Sequence, residues 1–285
     1  MNDPFPLSQC KTMSSLDFEF LKGDWIMEPK IDGWRMQMDV KPDQVQAWTR
    51  TQHNATGKMP VVEQHLKQLT AGHNFRLDGE AVFIDEQNEP DYNMTARMLG
   101  SGTDVCIMKQ LERGMPLTYF VFDILMLDGI DLRGKPLMTR KDALKDILSD
   151  TGAVELVMGD PATYDQHIRN FEQYKEGSVL KDARSAYAGK RHKSWLKWKE
   201  CESVDVKIVG YKRGQGKYAD LVGAIHFRSP DGTMGYCSGM DDTTRVWITN
   251  HMEQLRGTVI EIKHFGKLVD GYRHPQFMRF REDKI

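Results

Sequence analysis

The chain has 285 residues, of which 40% are hydrophobic and 28% are charged, and its formal net charge at pH 7 is −2. No apolar run approaches the roughly 18 residues that a membrane-spanning helix needs, so we expect no association with a membrane. A chain of this length exceeds the usual size of one compact core, which favours one large domain and one smaller domain.

The amino terminus and the cysteines bear on the compartment of the protein. The opening stretch MNDPFPLSQCKTMSS lacks the basic start and the apolar run of a secretory signal, so we expect a cytoplasmic protein. The cysteines are scattered without a CxxC motif or a Cys/His pairing, which argues against a zinc site and a disulfide framework. They are Cys10, Cys106, Cys201 and Cys237.

The first two thirds of the chain mix predicted strands and helices. RMQMDV (35–40) and FRLDGEAVFID (75–85) alternate as half-buried strands, and the second presents Asp78 and Glu80 on one face. VVEQHLKQLTAG (61–72) has apolar residues at helical spacing and ends on a glycine. LTYFVFDILMLDG is a β-rich apolar run, and MTRKDALKDIL predicts an amphipathic helix. This order lacks a strict βαβ rhythm and favours an α+β domain of antiparallel sheets flanked by helices.

After residue 200 the predicted elements become shorter. Four alternating strands are separated by glycine-rich turns, and one predicted helix, TTRVWITNHMEQL, lies among them. Several short strands with one helix predict a small β-barrel. We place the boundary at KECESVD, which gives domains 1–200 and 201–285.

A local excess of positive charge surrounds this boundary. The segment from Arg184 to Lys217 contains ten basic residues and only three acidic ones. Such a stretch is either a solvated face or a binding surface for a polyanion, and an adjacent phosphate site would favour the second reading. The basic residues are Arg184, Lys190, Arg191, Lys193, Lys197, Lys199, Lys207, Lys212, Arg213 and Lys217.

Cations and carboxylates also interrupt the predicted strands of the larger domain. In SWLKWK, Trp195, Lys197 and Lys199 share one strand face, and two lysines held together in this way need an anion. Each carboxylate taken alone is more often an ordinary salt-bridge residue than a metal ligand. Together, the cations would surround a phosphate and the carboxylates would bind Mg²⁺. The cations are Lys30, Arg35, Lys197 and Lys199, and the carboxylates are Glu80 and Glu176.

In this order the motifs resemble those of covalent nucleotidyltransferases, specifically ATP-dependent DNA ligases of the small bacteriophage type. The matching segments are KIDGWR (30–35), DGE (78–80), FVFD (120–123), EGSVLK (176–181), SWLKWK (194–199) and RHPQFMRFREDK (273–284). The resemblance implies a nucleotidyltransferase domain followed by a small OB-type β-barrel, without a preceding DNA-binding domain. One departure is WTRTQHNATGK, where the family often has a compact Ser-Arg-Thr-Gly. Arg50 is the matching arginine.

The resemblance implies that Lys30 attacks the α-phosphate of ATP and carries AMP as a covalent intermediate. AMP then moves to a 5′-phosphate at a nick in duplex DNA, and a 3′-hydroxyl displaces it. Mg²⁺ would assist, and Mn²⁺ would be able to replace it. We expect Lys197, Lys199 and the metal to lower the pKa of Lys30 by disfavouring a further positive charge.

Further roles follow from the same resemblance. Glu28 would contact the adenine edge, Phe122 would stack on its face, and Glu80 would lie near the ribose. Asp32 would orient the amine or the metal. Arg35 would contact ribose and phosphate, and Arg281 and Lys284 would close over the β- and γ-phosphates. Sequence-independent contacts to nicked duplex DNA would come from Arg50, Lys190, Arg191, Lys193, Lys212, Arg213 and Lys217.

We therefore expect a monomeric ligase that acts in DNA replication, repair and recombination in the cytoplasm of a bacterium or a phage-infected host. Two alternatives stay open on the residues alone. An mRNA capping guanylyltransferase shares the lysine chemistry and the barrel, and it would use GTP. A catalytically inactive nucleic-acid clamp would keep the fold and lack the transfer reaction.

Overall fold

The computed structural model of the protein describes residues 3–13, 18, 21–199, 202–264, 266–268 and 271–284. The chain divides into two compact units, Met1–Lys199 and Glu200–Ile285. Residues 200 and 201 at the predicted boundary, Cys201 included, lie outside the described residues. Cys10, Cys106 and Cys237 carry free thiols. Within the described part of the chain, each helix is too short or too polar to cross a bilayer.

The larger unit contains two sheets and the helices that cover them. Its strands are β1 (Gln9–Thr12), β2 (Trp25–Pro29), β3 (Trp34–Val40), β4 (Val45–Thr49), β5 (Phe75–Val82), β6 (Thr118–Leu127), β7 (Ile130–Asp131), β8 (Val154–Leu156), β9 (Asp160–Pro161), β10 (Ser178–Asp182) and β11 (Arg191–Trp198). Its helices are α1 (Pro60–Leu69), α2 (Tyr92–Leu99), α3 (Thr103–Arg113), α4 (Leu137–Ile147) and α5 (Tyr164–Tyr174).

The first sheet has six strands in the order β4-β3-β5-β6-β7, and β8 pairs with β6. Its pairs are antiparallel except for β6 with β8. Alternating side chains such as Met36, Met38 and Leu77 are fully buried, together with Val62 and Leu66 of α1. The predicted strands at 35–40 and 75–85 and the helix after residue 60 are therefore confirmed.

The second sheet has five strands in the order β1-β11-β10-β2-β9. Only its edge pair β1 and β11 is parallel among the pairs described. Met27, Leu180 and Trp198 form a separate buried cluster on one face of this sheet. Trp195 points to the opposite face and packs with Leu125 and Tyr187. This alternation confirms the predicted two-faced strand in SWLKWK.

The carboxyl-terminal unit contains the strands β12 (Glu202–Arg213), β13 (Val222–Arg228), β14 (Met234–Cys237), β15 (Val259–His264) and β18 (Gln276–Phe280), with a short hairpin of β16 (Lys267–Leu268) and β17 (Gly271–Tyr272). The five longer strands form one antiparallel sheet in the order β14-β13-β12-β15-β18. A parallel bridge between Ser238 and Gln276 links the two outer strands just beyond β14. The predicted helix is interrupted at His251, giving α6 (Asp242–Asn250) and α7 (Met252–Leu255).

The mixed architecture of helices and antiparallel sheets is confirmed, but one predicted helix has an unexpected buried face. Helix α4 was predicted to be amphipathic through Ala143, Leu144, Ile147 and Leu148. The structure buries Leu144 and also the charged residues Arg140 and Lys141, which are 0% exposed. A helical pattern read from apolar residues alone misses buried cations, because charged residues are normally assigned to the solvent side.

Candidate active site

A pocket of about 260 Å³ lies in the larger unit, with walls from both sheets. Strands β2, β10 and β11 supply one side, and β5 and β6 supply another. The predicted residues that line it are Glu28, Lys30, Arg35, Arg50, Glu80, Phe122, Arg191 and Lys197. Segments that are far apart in sequence therefore meet as the motif order predicted.

Lys30 directly follows β2, and contacts of its own backbone and of the turn after it fix its position. Its backbone N–H donates to the carbonyl oxygen of Gly177 over 2.9 Å. At Gly33, an added Cβ would lie 2.4 Å from the carbonyl oxygen of Ala81, so only glycine lets this turn approach β5. The Asp-Gly pair of the motif thus brings the lysine segment against the strand that carries Glu80.

Glu176 connects Lys30 to Lys199, which directly follows β11. Its Oε2 accepts from Lys30 Nζ over 2.7 Å, and its Oε1 accepts from Lys199 Nζ. The next residue, Gly177, has φ of +122°, and a Cβ there would lie 2.2 Å from the carbonyl oxygen of Trp198. The glycine is required because it lets the two backbones touch, which places Glu176 between both lysines.

The expected lowering of the Lys30 pKa is wrong for this state of the protein. Burial is the largest single influence and acts to lower the pKa. The carboxylates of Glu176, Glu80 and Asp32 together outweigh burial, and the pKa of Lys30 lies above its usual value. The prediction counted the neighbouring cations and omitted the carboxylate that lies between them.

Burial and neighbouring charges also shift the pKa values of the other charged groups around Lys30. Burial raises the pKa of Glu80 to about 8, although Lys30 and Arg35 oppose this. Burial would also raise the pKa of Glu176, but Lys30 and Lys199 hold it below its usual value. Burial, Lys199 and Lys30 lower the pKa of Lys197. An anion bound here would relieve the repulsion among the three ammonium groups.

The binding of a magnesium ion by Glu80 and Glu176 stays a prediction. Among the residues that the structure describes, no cluster of three or more His, Cys, Asp or Glu side chains is placed to hold a metal. Mg²⁺ commonly takes only one or two carboxylates and completes its shell with water and substrate phosphate. A carboxyl group such as Glu80, whose buried charge is disfavoured, would gain from an adjacent divalent cation.

A second polar cluster lies around Glu28, which also lines the pocket. The Glu28 carboxylate is 3% exposed and lies between Lys141 Nζ and Lys181 Nζ, each 2.6 Å from one of its oxygens. Lys181 Nζ also lies 4.4 Å from the centre of the Phe122 ring and 4.1 Å from that of Trp195. The predicted base-recognition residues Glu28 and Phe122 thus share Lys181 as a neighbour.

Arg35 is fixed by a buried network rather than left free in the pocket. Its guanidinium donates to both oxygens of Asp78 over 3.0 and 2.6 Å. Tyr187 donates to the same carboxylate over 2.6 Å, and Arg35 also donates to the carbonyl oxygen of Ser8. A bidentate pair of this kind holds the guanidinium in one orientation.

Several predicted residues lie outside the pocket lining. Asp32 influences Lys30 electrostatically but does not line the pocket. In the carboxyl-terminal unit, Asp205 accepts from Arg281 over 2.7 Å and from Lys284 over 2.5 Å, and Asp283 also accepts from Arg281. The seven predicted DNA contacts are all solvent-exposed; Arg50 and Arg191 also line the pocket, whereas Lys190, Lys193, Lys212, Arg213 and Lys217 do not.

Sequence reasoning missed Lys141 and did not assign Lys181 a role. Lys181 is the last residue of EGSVLK, so the motif itself offered a signal. No local signal marked Lys141, because its partners come from β2, β6 and the segment after β8. Tyr187 was missed for the same reason, since it meets Asp78 across 109 positions of sequence.

Comparison with known proteins places this geometry in a family. The family model described as the ATP dependent DNA ligase domain matches residues 5–199. The chain belongs to the ATP-dependent DNA ligase family. A protein named probable DNA ligase from Streptomyces griseus subsp. griseus is 30% identical over 298 alignment positions, which cover 92% of this chain. They cover 57% of that protein, so the chain spans little more than half the length of this ligase relative.

Solved structures show that the fold is also shared. The structure described as Pmar-Lig_PreS3 has a TM-score of 0.77 at 21% identity and covers 97% of this chain and 68% of its own. A structure from an analysis of Lig E DNA ligases has a TM-score of 0.72 at 17% identity, and the match covers 96% of this chain and 98% of that structure's chain. The resemblance to ATP-dependent DNA ligases is confirmed, and the family description favours a ligase over a capping enzyme.

Proposed function

We propose that the chain is an ATP-dependent DNA ligase that seals nicks between a 5′-phosphate and a 3′-hydroxyl in duplex DNA. The observation that carries the proposal is the position of Lys30. Lys30 lines the pocket, and its amine lies 2.7 Å from Glu176, whose other carboxylate oxygen binds Lys199. The family membership supports the same reading.

Lys30 is the nucleophile in this proposal. Its nitrogen forms a bond to the α-phosphorus of ATP, the bond from phosphorus to the bridging oxygen breaks, and pyrophosphate leaves with that electron pair. Lys30 is stabilised here as an ammonium by Glu176, so the attack requires it to give up this ion pair and a proton. Lys197 and Lys199 supply positive charge for the phosphates, and Arg35 is oriented by Asp78 toward the same pocket.

The base end of the pocket would hold adenine, with Glu28 at its edge and Phe122 on its face. Glu80 and Glu176 would hold Mg²⁺ or Mn²⁺, which neutralises phosphate charge and aligns the reacting groups when bound. Asp32, whose charge acts on Lys30, would help orient the amine.

We propose that residues 1–200 form an adenylation domain and residues 201–285 an OB-type domain, and the division of the chain into Met1–Lys199 and Glu200–Ile285 supports this boundary. The strand order of the smaller unit and the Ser238–Gln276 bridge between its outer strands support a barrel. Arg281 and Lys284 would contact the β- and γ-phosphates during self-adenylation. This contact requires them to exchange Asp205 for the nucleotide.

Nicked duplex DNA would bind through exposed cations, without base-specific contacts. Arg191 lines the pocket and belongs to the basic stretch, so that stretch runs up to the proposed phosphate site. The contacts would be to the DNA backbone, and affinity would fall steeply with salt. We propose a monomer that works in the cytoplasm, in replication, repair and recombination.

The test is ATP-dependent sealing of a singly nicked, labelled duplex, with intact-mass analysis of the protein. We expect an AMP adduct with ATP and Mg²⁺, joining of the nick, and loss of both in Lys30→Ala. An adduct formed with GTP and not with ATP would instead identify a capping guanylyltransferase. DNA binding without any adduct would identify an inactive clamp.

A further inference from the structure

Lys141 of α4 is a buried cation with one ion pair and two hydrogen bonds. Its side chain is 0% exposed, and Nζ lies 2.6 Å from Glu28 Oε1. The same ammonium donates to the carbonyl oxygen of Phe122 over 2.7 Å and to that of Val157. The contacts of this ammonium group therefore come from three separate segments of the chain.

The three acceptors of Lys141 have one property in common. Glu28, Phe122 and Val157 all line the pocket, whereas Lys141 itself does not. Lys141 therefore contacts three lining residues from outside the pocket and fixes the distances between them. A lysine without solvent contact carries a large desolvation cost, so the contacts must compensate for it.

The neighbouring residue Arg140 shows that burial in α4 does not by itself imply a link to the pocket. Arg140 is also 0% exposed, and it pairs with Asp123 over 2.7 Å. Its other acceptors are the carbonyl oxygens of Lys135 and Ser185. Asp123, Lys135 and Ser185 are all absent from the pocket lining. Arg140 therefore joins segments of the interior, whereas Lys141 joins residues that line the pocket.

Lys141 and Lys181 together orient the Glu28 carboxylate. Oε1 faces the hidden cation Lys141, and Oε2 faces Lys181, which lines the pocket. The pocket therefore has a carboxylate acceptor directly beside an ammonium donor. Adenine has a ring-nitrogen acceptor beside the donor 6-amino group, whereas guanine carries an acceptor oxygen at position 6. An oriented carboxylate would attract the amino group and repel that oxygen.

We propose that Lys141 is a positioning residue that holds Glu28 so that the pocket prefers a purine bearing a 6-amino group. The inference rests on the proposed function, because it assigns the nucleobase of a nucleoside triphosphate to this end of the pocket. Lys141 acts through Glu28 and does not touch the base.

The test compares binding of ATP with binding of purine riboside triphosphate, which lacks the 6-amino group. Dissociation constants are measured by calorimetry with EDTA present, so that binding is read without nucleotidyl transfer. We expect the wild-type protein to prefer ATP about 10-fold, the scale of one hydrogen bond to a charged group. In Lys141→Met the preference falls to within about 3-fold of unity.

Three further variants separate positioning from general damage. Lys145→Met removes an exposed lysine of the same helix and keeps the wild-type preference. Glu28→Met removes the acceptor and loses the preference, and adding Lys141→Met to it causes no further loss, because the lysine acts through that carboxylate. Lys141→Arg keeps the charge but cannot match all three acceptors. We expect Lys141→Arg to lower the preference for ATP, and this variant tests the proposal if Lys141→Met does not fold.

A folded Lys141→Met or Lys141→Arg protein with the wild-type ATP preference would overturn the proposal. A wild-type protein that binds both nucleotides equally would also overturn it. Failure of the ligase proposal gives a different result, namely normal preference for ATP in binding but no AMP adduct and no sealing when Mg²⁺ is supplied.

Discussion

Lys30 Nζ and Glu176 Oε2 lie 2.7 Å apart, and the second oxygen of the same carboxylate binds Lys199. One carboxylate thus joins the proposed nucleophile to a cation directly after β11. Without it, the ammonium groups of Lys30 and Lys199 would repel each other in a poorly solvated pocket. Glu176 therefore stabilises the site before nucleotide binds, and the approach of phosphate would supply an alternative anion.

The close backbone contact beside Glu176 predicts a large effect of Gly177→Ala. The added methyl group meets the carbonyl oxygen of Trp198 at 2.2 Å, and φ of +122° is strained for alanine. We expect the free energy of unfolding to fall by about 3 kcal/mol or more, since backbone strain and overpacking each cost 1–3 kcal/mol. Urea denaturation followed by far-UV circular dichroism measures the loss.

Gly114→Ala is the matched control for that substitution. Gly114 also has a positive φ, +65°, but a Cβ there meets no atom within 4 Å. It should cost only about 1 kcal/mol, the scale of a left-handed alanine. Equal losses in the two variants would show that the contact with Trp198 is unimportant.

The sequence predicted individual strands well because their alternation is local. Met36 and Met38 on one face of β3 needed no knowledge of the rest of the chain. The motif residues Lys30 and Glu176 were also found, although they are 146 positions apart, because each belongs to a short pattern. The sign of the Lys30 pKa shift was missed, since it depends on which opposite charge lies nearest in three dimensions.

The burial of Lys141 could not be predicted from the sequence. A lysine in an amphipathic helix is normally solvated, and three acceptors on other segments decide its burial here. Arg140 was missed in the same way, because its partner Asp123 lies on β6. Buried charge pairs leave no periodic pattern in the sequence, so their presence follows only from tertiary packing.

The buried pair Arg140–Asp123 predicts strong destabilisation by Arg140→Met. Both side chains are 0% exposed, so the substitution leaves an unpaired carboxylate in the interior. Breaking such a pair costs about 3–5 kcal/mol. The free energy of unfolding should show this loss, and the double variant Asp123→Asn/Arg140→Met should recover part of it.

Arg184→Ala provides the comparison at the surface. Arg184 pairs with Asp24, and the two side chains are 80% and 63% exposed. Exposed pairs contribute about 0–1 kcal/mol, so little change in unfolding is expected. A loss for Arg184→Ala as large as that for Arg140→Met would contradict this account of burial.

The proposed roles of Arg281 and Lys284 predict a defect confined to one step. Arg281→Ala should slow self-adenylation by ATP about 100-fold, the scale of removing one donor to a transition state. Sealing of a nick that already carries AMP should change little, because no β- or γ-phosphate remains. Single-turnover assays of the two steps measure this difference.

Arg279→Ala is the control for that defect. Arg279 lies on β18 two positions before Arg281, is 67% exposed and pairs with Glu261 over 2.7 Å. Both steps should stay within about 2-fold of wild type, since loss of an exposed pair has little energetic effect. Equal slowing of both steps by Arg281→Ala would argue for a general role in DNA binding instead.

The buried ammonium of Lys141 predicts a rise in stability with pH. Burial lowers its pKa to about 8, with Glu28 opposing, Lys181 reinforcing and Asp123 opposing the shift. The value in an unfolded chain is 10.5, so between about pH 8 and 10.5 the unfolded state binds more protons than the folded state. The free energy of unfolding therefore increases with pH in this window, by up to about 1.4 kcal/mol per unit.

Comparison with Lys141→Met isolates this contribution, because most other groups that titrate are shared. The difference in unfolding free energy, wild type minus variant, should increase between pH 8 and 10 by about 1–3 kcal/mol. Lys145→Met removes an exposed lysine of α4, and its difference from wild type should stay flat. A flat or falling difference for Lys141→Met would mean that Lys141 keeps its proton when buried. In that case its three acceptors stabilise the charge more strongly than burial disfavours it.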